Sequence, residues 1–180
     1  ETRTTLNDLV ATRTAAAPVA LDAALGDADA SGEVPEYTMV SMRGTFSPAN
    51  EVLLRGRSLD GRPGFNLLTP LVLEDAPAGS TGAAVLVERG WVPYDHDSVP
   101  VTDAPPPSGV VEVVGRLRAP SSSPGGLAPR DPVEGALVQS YYVDVARLQQ
   151  QMPFPLLPAY VTATGMTPPH AGQLPLPLPP

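Results

Sequence analysis

Cysteine is absent from the chain, which excludes disulfides, thiolate nucleophiles, covalent c-type haem attachment and cysteine-based copper or zinc sites. Lysine is absent too: all eleven basic residues are arginine, a bias that fits coding in a GC-rich genome. Against 19 acidic residues they leave a net charge of −8, and an acidic chain with no basic cluster is a poor candidate for nucleic-acid binding. No apolar run reaches the roughly 18 to 20 residues needed to cross a bilayer, and no basic-then-apolar leader is present. The chain starts at Glu1 without an initiator methionine and ends in QLPLPLPP, the pattern of an excised fragment. Dinucleotide and P-loop fingerprints are missing; Gly61-Arg62-Pro63-Gly64 is too short and lacks a following helix.

Proline and glycine are abundant instead, at 24 and 16 of 180 residues. That composition disfavours a helical bundle and favours short strands joined by many turns, within one domain of ordinary size. The stretch Arg55 to Tyr94 organises the rest. Asp60-Gly61 and Pro63-Gly64 both read as chain-reversing dipeptides. Phe65 to Leu73 is apolar on both strand faces, and so is Ala83 to Val92, so these two strands are expected to be covered on both sides. Pro70 offers no N–H and should sit at a bulge or an unpaired position.

Around this centre the chain reads as further short elements. Leu6 to Arg13 gives an amphipathic helix, and Pro18 opens a second with Leu21, Ala24 and Leu25 on one face. Gly26 to Pro35 reads as an acidic surface loop. Tyr37 to Phe46 is a strand, Ser47 to Asn50 a turn, and Glu51 to Arg57 the return strand. Val110 to Arg118 alternates Val111, Val113, Gly115 and Leu117 inward with Glu112, Arg116 and Arg118 outward. Ala136 to Val143 reads as a strand, and Asp144 caps a helix carrying Val145, Leu148 and Met152. Tyr160 to Thr164 is the last strand, and from Pro168 the tail is expected to be extended with no core of its own. The fold class is therefore β-rich α+β: an antiparallel twisted sheet or partly closed barrel of about six or seven strands with short covering helices. Residues 1–167 form the domain and 168–180 its proline-rich tail.

Few residues offer chemistry. His96 lies in Y-D-H-D-S, but neighbours in an extended loop point apart, and a hydrolytic triad or metal site needs partners from separate segments. His170 sits in the tail, expected to be exposed. Met39 and Met42 fall on opposite strand faces, which suits packing rather than copper carriage. Arg55, Arg57 and Arg62 cluster at one end of a hairpin, where they suit either a carboxylate held bidentately or ordinary surface pairing to Glu51, Asp60 or Glu74. Arg89 lies on an otherwise apolar strand face, beside Gly90 and the sole tryptophan, Trp91. It needs a buried partner or marks a contact surface.

Two blocks carry a family resemblance: R-x-R-x-x-x-G-x-x-G-F-x-x-x-T-P-L from Arg55 to Leu71, and V-x-V-E-R-G-W-V-P from Val85 to Pro93. With their order and spacing, supported by Val40 to Phe46, Val113 to Arg118 and, more weakly, Tyr142 to Asp144, the chain resembles the surfeit-locus-one family. The GC-rich coding suggests an actinobacterial member. The resemblance implies a non-enzymatic assembly factor for haem-copper cytochrome c oxidase, assisting haem a insertion or maturation of subunit I. It implies a domain on the extracytoplasmic side of the cell membrane, held by flanking helices not contained in this sequence. Partner-binding residues would be Arg55, Arg57, Arg62, Arg89 and Trp91, with oxidase subunit I or its assembly intermediates as partner. No cofactor is expected in this chain, because the family's proposed haem-ligating histidine lies on the membrane helix that follows. A small-molecule-binding β-barrel is the alternative, and an apolar cavity in the barrel would favour it. A hydrolase built around His96 ranks last.

Overall fold

The computed structural model describes residues 17–31, 33–74 and 82–179; the helix expected at Leu6 to Arg13 lies outside them. In chain order the elements are β1 (Val19–Ala20), α1 (Leu21–Ser31), β2 (Met39–Phe46), a 3-10 turn (Pro48–Asn50), β3 (Val52–Leu59), β4 (Arg62–Leu73), β5 (Ala84–Pro93), β6 (Val110–Arg118), β7 (Gln139–Ser140), α2 (Val145–Gln149) and β8 (Leu156–Thr167). The sheet order is β1-β2-β6-β8-β5-β4-β3-β7, and β2 also pairs with β4. The ring β2-β6-β8-β5-β4 is thus a closed five-stranded barrel with β1, β3 and β7 appended. Most pairings are antiparallel, as the sequence suggests, but β5 with β8, β1 with β2 and β3 with β7 run parallel.

Alternation along the strands fills the barrel. Val40, Met42 and Phe46 from β2, Leu71 and Leu73 from β4, Val85 and Val87 from β5, Val111, Val113 and Leu117 from β6, and Val161 from β8 form one buried cluster, with Leu21, Ala24 and Leu25 of α1 packed on it. The opposite faces of β4 and β5 are covered too. Leu68 and Leu86 join Val52 and Leu54 under Val145 and Leu148 of α2. Leu67 and Val92 join Leu53, Phe65, Val101 and Ala104 in a third cluster. Coverage on both faces explains the continuous apolar runs of the central strands.

Local expectations meet the structure unevenly. The β3–β4 hairpin turns at Asp60 and Gly61, both with positive φ (51° and 77°), a conformation in which glycine is unstrained. Pro63-Gly64 makes no second reversal; it continues β4, paired with Ser58 and Arg57, because the Trp91 ring packs where a side chain at Gly64 would stand. Pro70 lies where β4 leaves β3, last paired at Leu68 with Val52, and joins β2 at Leu71 with Phe46, so its missing N–H interrupts neither ladder. The loop expected from Gly26 to Pro35 begins instead inside α1, which runs to Ser31. Ala136 to Val143 pairs only at Gln139 and Ser140, against β3. Asp144 caps α2 as expected, its side chain accepting from the Arg147 N–H at 3.1 Å.

Candidate functional site

Side chains and backbone from β4, the turn before β3, the loop after β5 and the tail converge on Arg89. β5 has one residue more than β4 at this point: Leu67 pairs with Gly90 and Leu68 with Glu88, leaving Arg89 as the unpaired residue of a bulge. A bulge re-aims its side chain, and here the guanidinium lies fully buried beside the Phe46 ring. Glu51 follows the 3-10 turn, and its carboxylate is 1 % exposed. Its Oε1 accepts from Arg89 Nη2 at 2.6 Å and from Thr69 Oγ1 at 2.7 Å, and its Oε2 accepts from the Val101 N–H at 3.0 Å. Arg89 Nε donates to Thr69 Oγ1 at 2.8 Å, and Nη2 donates also to the Ala104 carbonyl at 2.9 Å. Every group of the ion pair is hydrogen-bonded, the condition under which a buried charge pair is tolerable. Burial pushes the Arg89 guanidinium below its usual value and the Glu51 charge opposes that shift. It stays a cation, because arginine starts so far above neutrality.

The last partner of Arg89 comes from the tail. Its Nη1 stands 2.9 Å from His170 Nε2. Arginine can only donate, so His170 accepts at Nε2 and is neutral, with its proton on Nδ1. Burial, and then the Arg89 charge, lower its pKa from 6.5 to about 4. His170 is thus half-buried and engaged, contrary to the exposed position its proline-rich surroundings suggest. The tail continues along β5: Trp91 and Leu176 exchange backbone hydrogen bonds of 2.9 and 2.8 Å, Pro175 is buried, and Leu174 packs on the third cluster. Gly90 makes this approach possible, since a Cβ there would lie 2.7 Å from two Pro175 ring carbons and 2.8 Å from the Leu176 oxygen. R-G-W is a three-part anchor: a buried cation, a gap for the tail, and a backbone partner for it.

Trp91 itself is 1 % exposed, and its indole Nε1 donates to the Arg57 carbonyl at 3.2 Å. Arg62 is exposed and lies over the Trp91 ring at 5.4 Å. Arg55 lies over the Tyr141 ring at 4.7 Å. Arg57 Nη1 donates to the Arg55 carbonyl at 2.7 Å and, with Nη2, reaches the Tyr141 carbonyl at 3.4 Å. The three hairpin arginines therefore spread over two neighbours rather than converging, and among the described residues none pairs with Glu51, Asp60 or Glu74. Arg89 and Trp91 face inward, so any part they take in partner binding runs through the tail they hold. The expectation that Arg89 has a buried partner is met by Glu51, which had no distinguishing signal at the start of an ordinary strand.

The histidines offer nothing to a haem iron or a serine nucleophile. His96 Nδ1 meets Asp95 Oδ1 at 2.9 Å and its Nε2 meets Asp103 Oδ2 at 3.2 Å, so both ring nitrogens are engaged by carboxylates. His170 Nε2 is held by Arg89. Among the described residues no group of three or more histidine or acidic side chains is placed to hold a metal ion. Neither histidine therefore presents a free ring-nitrogen lone pair to a haem iron. The barrel interior is filled by packed side chains, and an apolar cavity of about 340 Å³ lies outside that cluster, lined by Phe46, Pro48, Val101 and Pro105 among others.

Comparison with known proteins agrees with the block pattern. The SURF1 family profile matches residues 1–179. The chain is similar to an uncharacterised SURF1-like protein of Mycobacterium bovis and to its counterparts in two strains of Mycobacterium tuberculosis, each 30% identical over 133 residues. The match covers 73% of this chain and 45% of each relative, so the chain spans about half the length of the relatives it matches.

Proposed function

The chain belongs to the SURF1 family, linked in general to cytochrome oxidase assembly, and we propose that it is the extracytoplasmic domain of a non-enzymatic factor for haem-copper oxidase assembly. The observation that carries the reading is the fastening of the tail to β5 by Arg89, Gly90 and Trp91. A filled barrel is a rigid body, and a tail locked to it leaves in a fixed direction. Members of the family are membrane-associated in general. In the whole protein the tail would lead to a membrane helix, and the domain would hold that helix at a defined angle beside oxidase subunit I or its assembly intermediates. No helix among the described residues is long and apolar enough to cross a membrane.

On this reading Arg62 and Arg55, on the outside of the hairpin, meet an acidic partner loop, with Arg57 supporting them. Haem a insertion or subunit I maturation is the step assisted, and any haem is held outside this chain. The test is deletion of the gene in its native host and complementation with the full-length protein. The deletion should lose the haem a absorption band and oxidase activity, and full-length protein carrying Arg62→Glu should restore them only partly. An unchanged band in the deletion strain would overturn the proposal.

A further inference from the structure

The outer face of the barrel carries a second polar site, independent of the oxidase reading. Arg116 and Arg118 on β6 alternate with the inward Leu117, Tyr160 and Thr162 on β8 flank the inward Val161, and Glu88 on β5 follows the inward Val87. Register sets them side by side: Arg118 opposite Tyr160, Arg116 opposite Thr162, and Thr162 opposite Glu88. They line a groove of about 350 Å³, which Arg57 enters from β3 and Leu178 and Pro179 of the tail border.

Three arginines, Arg57, Arg116 and Arg118, face Glu88 in the groove and Glu36 beside it, an excess of one positive charge on a chain of net charge −8. Glu88 is already held, its Oε1 accepting from Thr162 Oγ1 at 2.8 Å and its Oε2 from Asn66 Nδ2 at 3.0 Å. Arg118 is held less tightly: it forms a long ion pair with the Glu36 carboxylate at 3.8 Å, and its buried Nε has no hydrogen-bond partner among the described residues. Its guanidinium is fixed in orientation by the Tyr37 ring at 5.2 Å and the Tyr160 ring at 5.8 Å. A buried donor without an acceptor is costly, and Arg118 Nε is the one such side-chain atom among the described residues, so its presence asks for an acceptor from outside. Tyr160 keeps its proton, since burial above all raises its pKa, and it offers a hydroxyl donor beside Arg118. Arg116 spends only one weak bond, Nη2 to the Pro179 carbonyl at 3.3 Å, on the exposed rim.

We propose that this groove binds a phosphate group, with Arg118 and Arg116 as its main donors and the Tyr160 hydroxyl as the third. Donors arriving from two adjacent strands suit tetrahedral oxygens better than a planar carboxylate. The group is either free, as phosphate or a small phosphomonoester, or the headgroup of a lipid.

The experiment is calorimetric and phosphorus-NMR titration of the chain with inorganic phosphate, with succinate as the carboxylate control, and flotation with vesicles of phosphatidic acid or of phosphatidylcholine alone. Saturable binding of phosphate, or flotation with phosphatidic acid only, is expected. Arg118→Gln and Arg116→Gln should weaken it about tenfold or more, while the exposed Arg130→Gln leaves it unchanged. Tyr160→Phe keeps the ring packing and should weaken binding severalfold, so the proposal stays testable if loss of Arg118 disturbs the fold. Free phosphate that displaces the vesicles identifies one site serving both sources, whereas arginine-dependent flotation without free-phosphate binding assigns the site to lipid. No saturable binding in either arm, binding indifferent to these substitutions, or succinate binding as tightly as phosphate would overturn the inference.

Discussion

Arg89 and Glu51 are buried together, each the other's charge partner. Arg89→Met would leave the Glu51 carboxylate buried with Thr69 and the Val101 N–H as its remaining partners. Breaking a buried pair from one side costs about 3 to 5 kcal/mol, whereas replacing both with apolar groups is often close to neutral. Denaturant titration should therefore show a large loss for Arg89→Met and recovery of most of it in Arg89→Met with Glu51→Leu. A single-variant loss under about 1 kcal/mol would mean the pair is already solvated. His170 adds a pH dependence. The folded chain keeps it neutral down to about pH 4, while the unfolded chain protonates it near 6.5. The unfolded state then binds more protons between these values, so stability is present above pH 6.5 and falls on acidification toward 4. His170→Gln, which can still accept from Arg89, should flatten the melting temperature across that window relative to the parent. Parallel curves would exclude the contact.

At the scale of elements, the tail behaves as a short extra strand laid against β5 at Trp91. Gly90→Ala places a methyl group against Pro175 and the Leu176 oxygen, both backbone-constrained, so the tail rather than β5 should yield. Hydrogen exchange at the Trp91 and Leu176 amides should rise by orders of magnitude, and limited proteolysis should cut after residue 167, while Val40 and Val87 in the barrel stay protected. Unchanged protection of the two amides would show that the close approach is not what fastens the tail. The bulge at Arg89 is the other decisive local feature. Without it Arg89 would keep the register of its neighbours, and the guanidinium would not reach both Glu51 and His170.

The described residues form a packed barrel with one buried polar cluster around Arg89 and one groove beside Glu88. Haem iron needs an open imidazole, thioether, thiolate or phenolate in a water-excluding pocket, and the two histidines here are committed to Asp95, Asp103 and Arg89. Haem titration of this chain should give no saturable Soret shift at micromolar haem. A saturable shift lost in His170→Ala would mean the tail opens to expose that ring.

Composition and strand pattern by themselves determined the β-rich class, the position of the central strands and their burial on both faces, because period-two alternation and long two-sided apolar runs report solvent access residue by residue. The R-G-W block was visible as an arginine in apolar company beside glycine and tryptophan, and the need for a buried partner followed from the cost of an unpaired charge. Which partner answers that need was decided only by the tertiary structure. Glu51 and His170 lie far from Arg89 in sequence, and nothing local distinguishes them from a surface carboxylate and a tail histidine. The same holds for the outer groove. Arg116 and Arg118 were legible as outward-facing, but their meeting with Tyr160, Thr162 and Glu88 depends on strand register and on a parallel β5–β8 pairing that no short-range pattern encodes. Barrel closure rests on the same long-range fact: β4 leaves β3 at Pro70 and finds β2, a choice made by packing rather than by the residues of β4 alone.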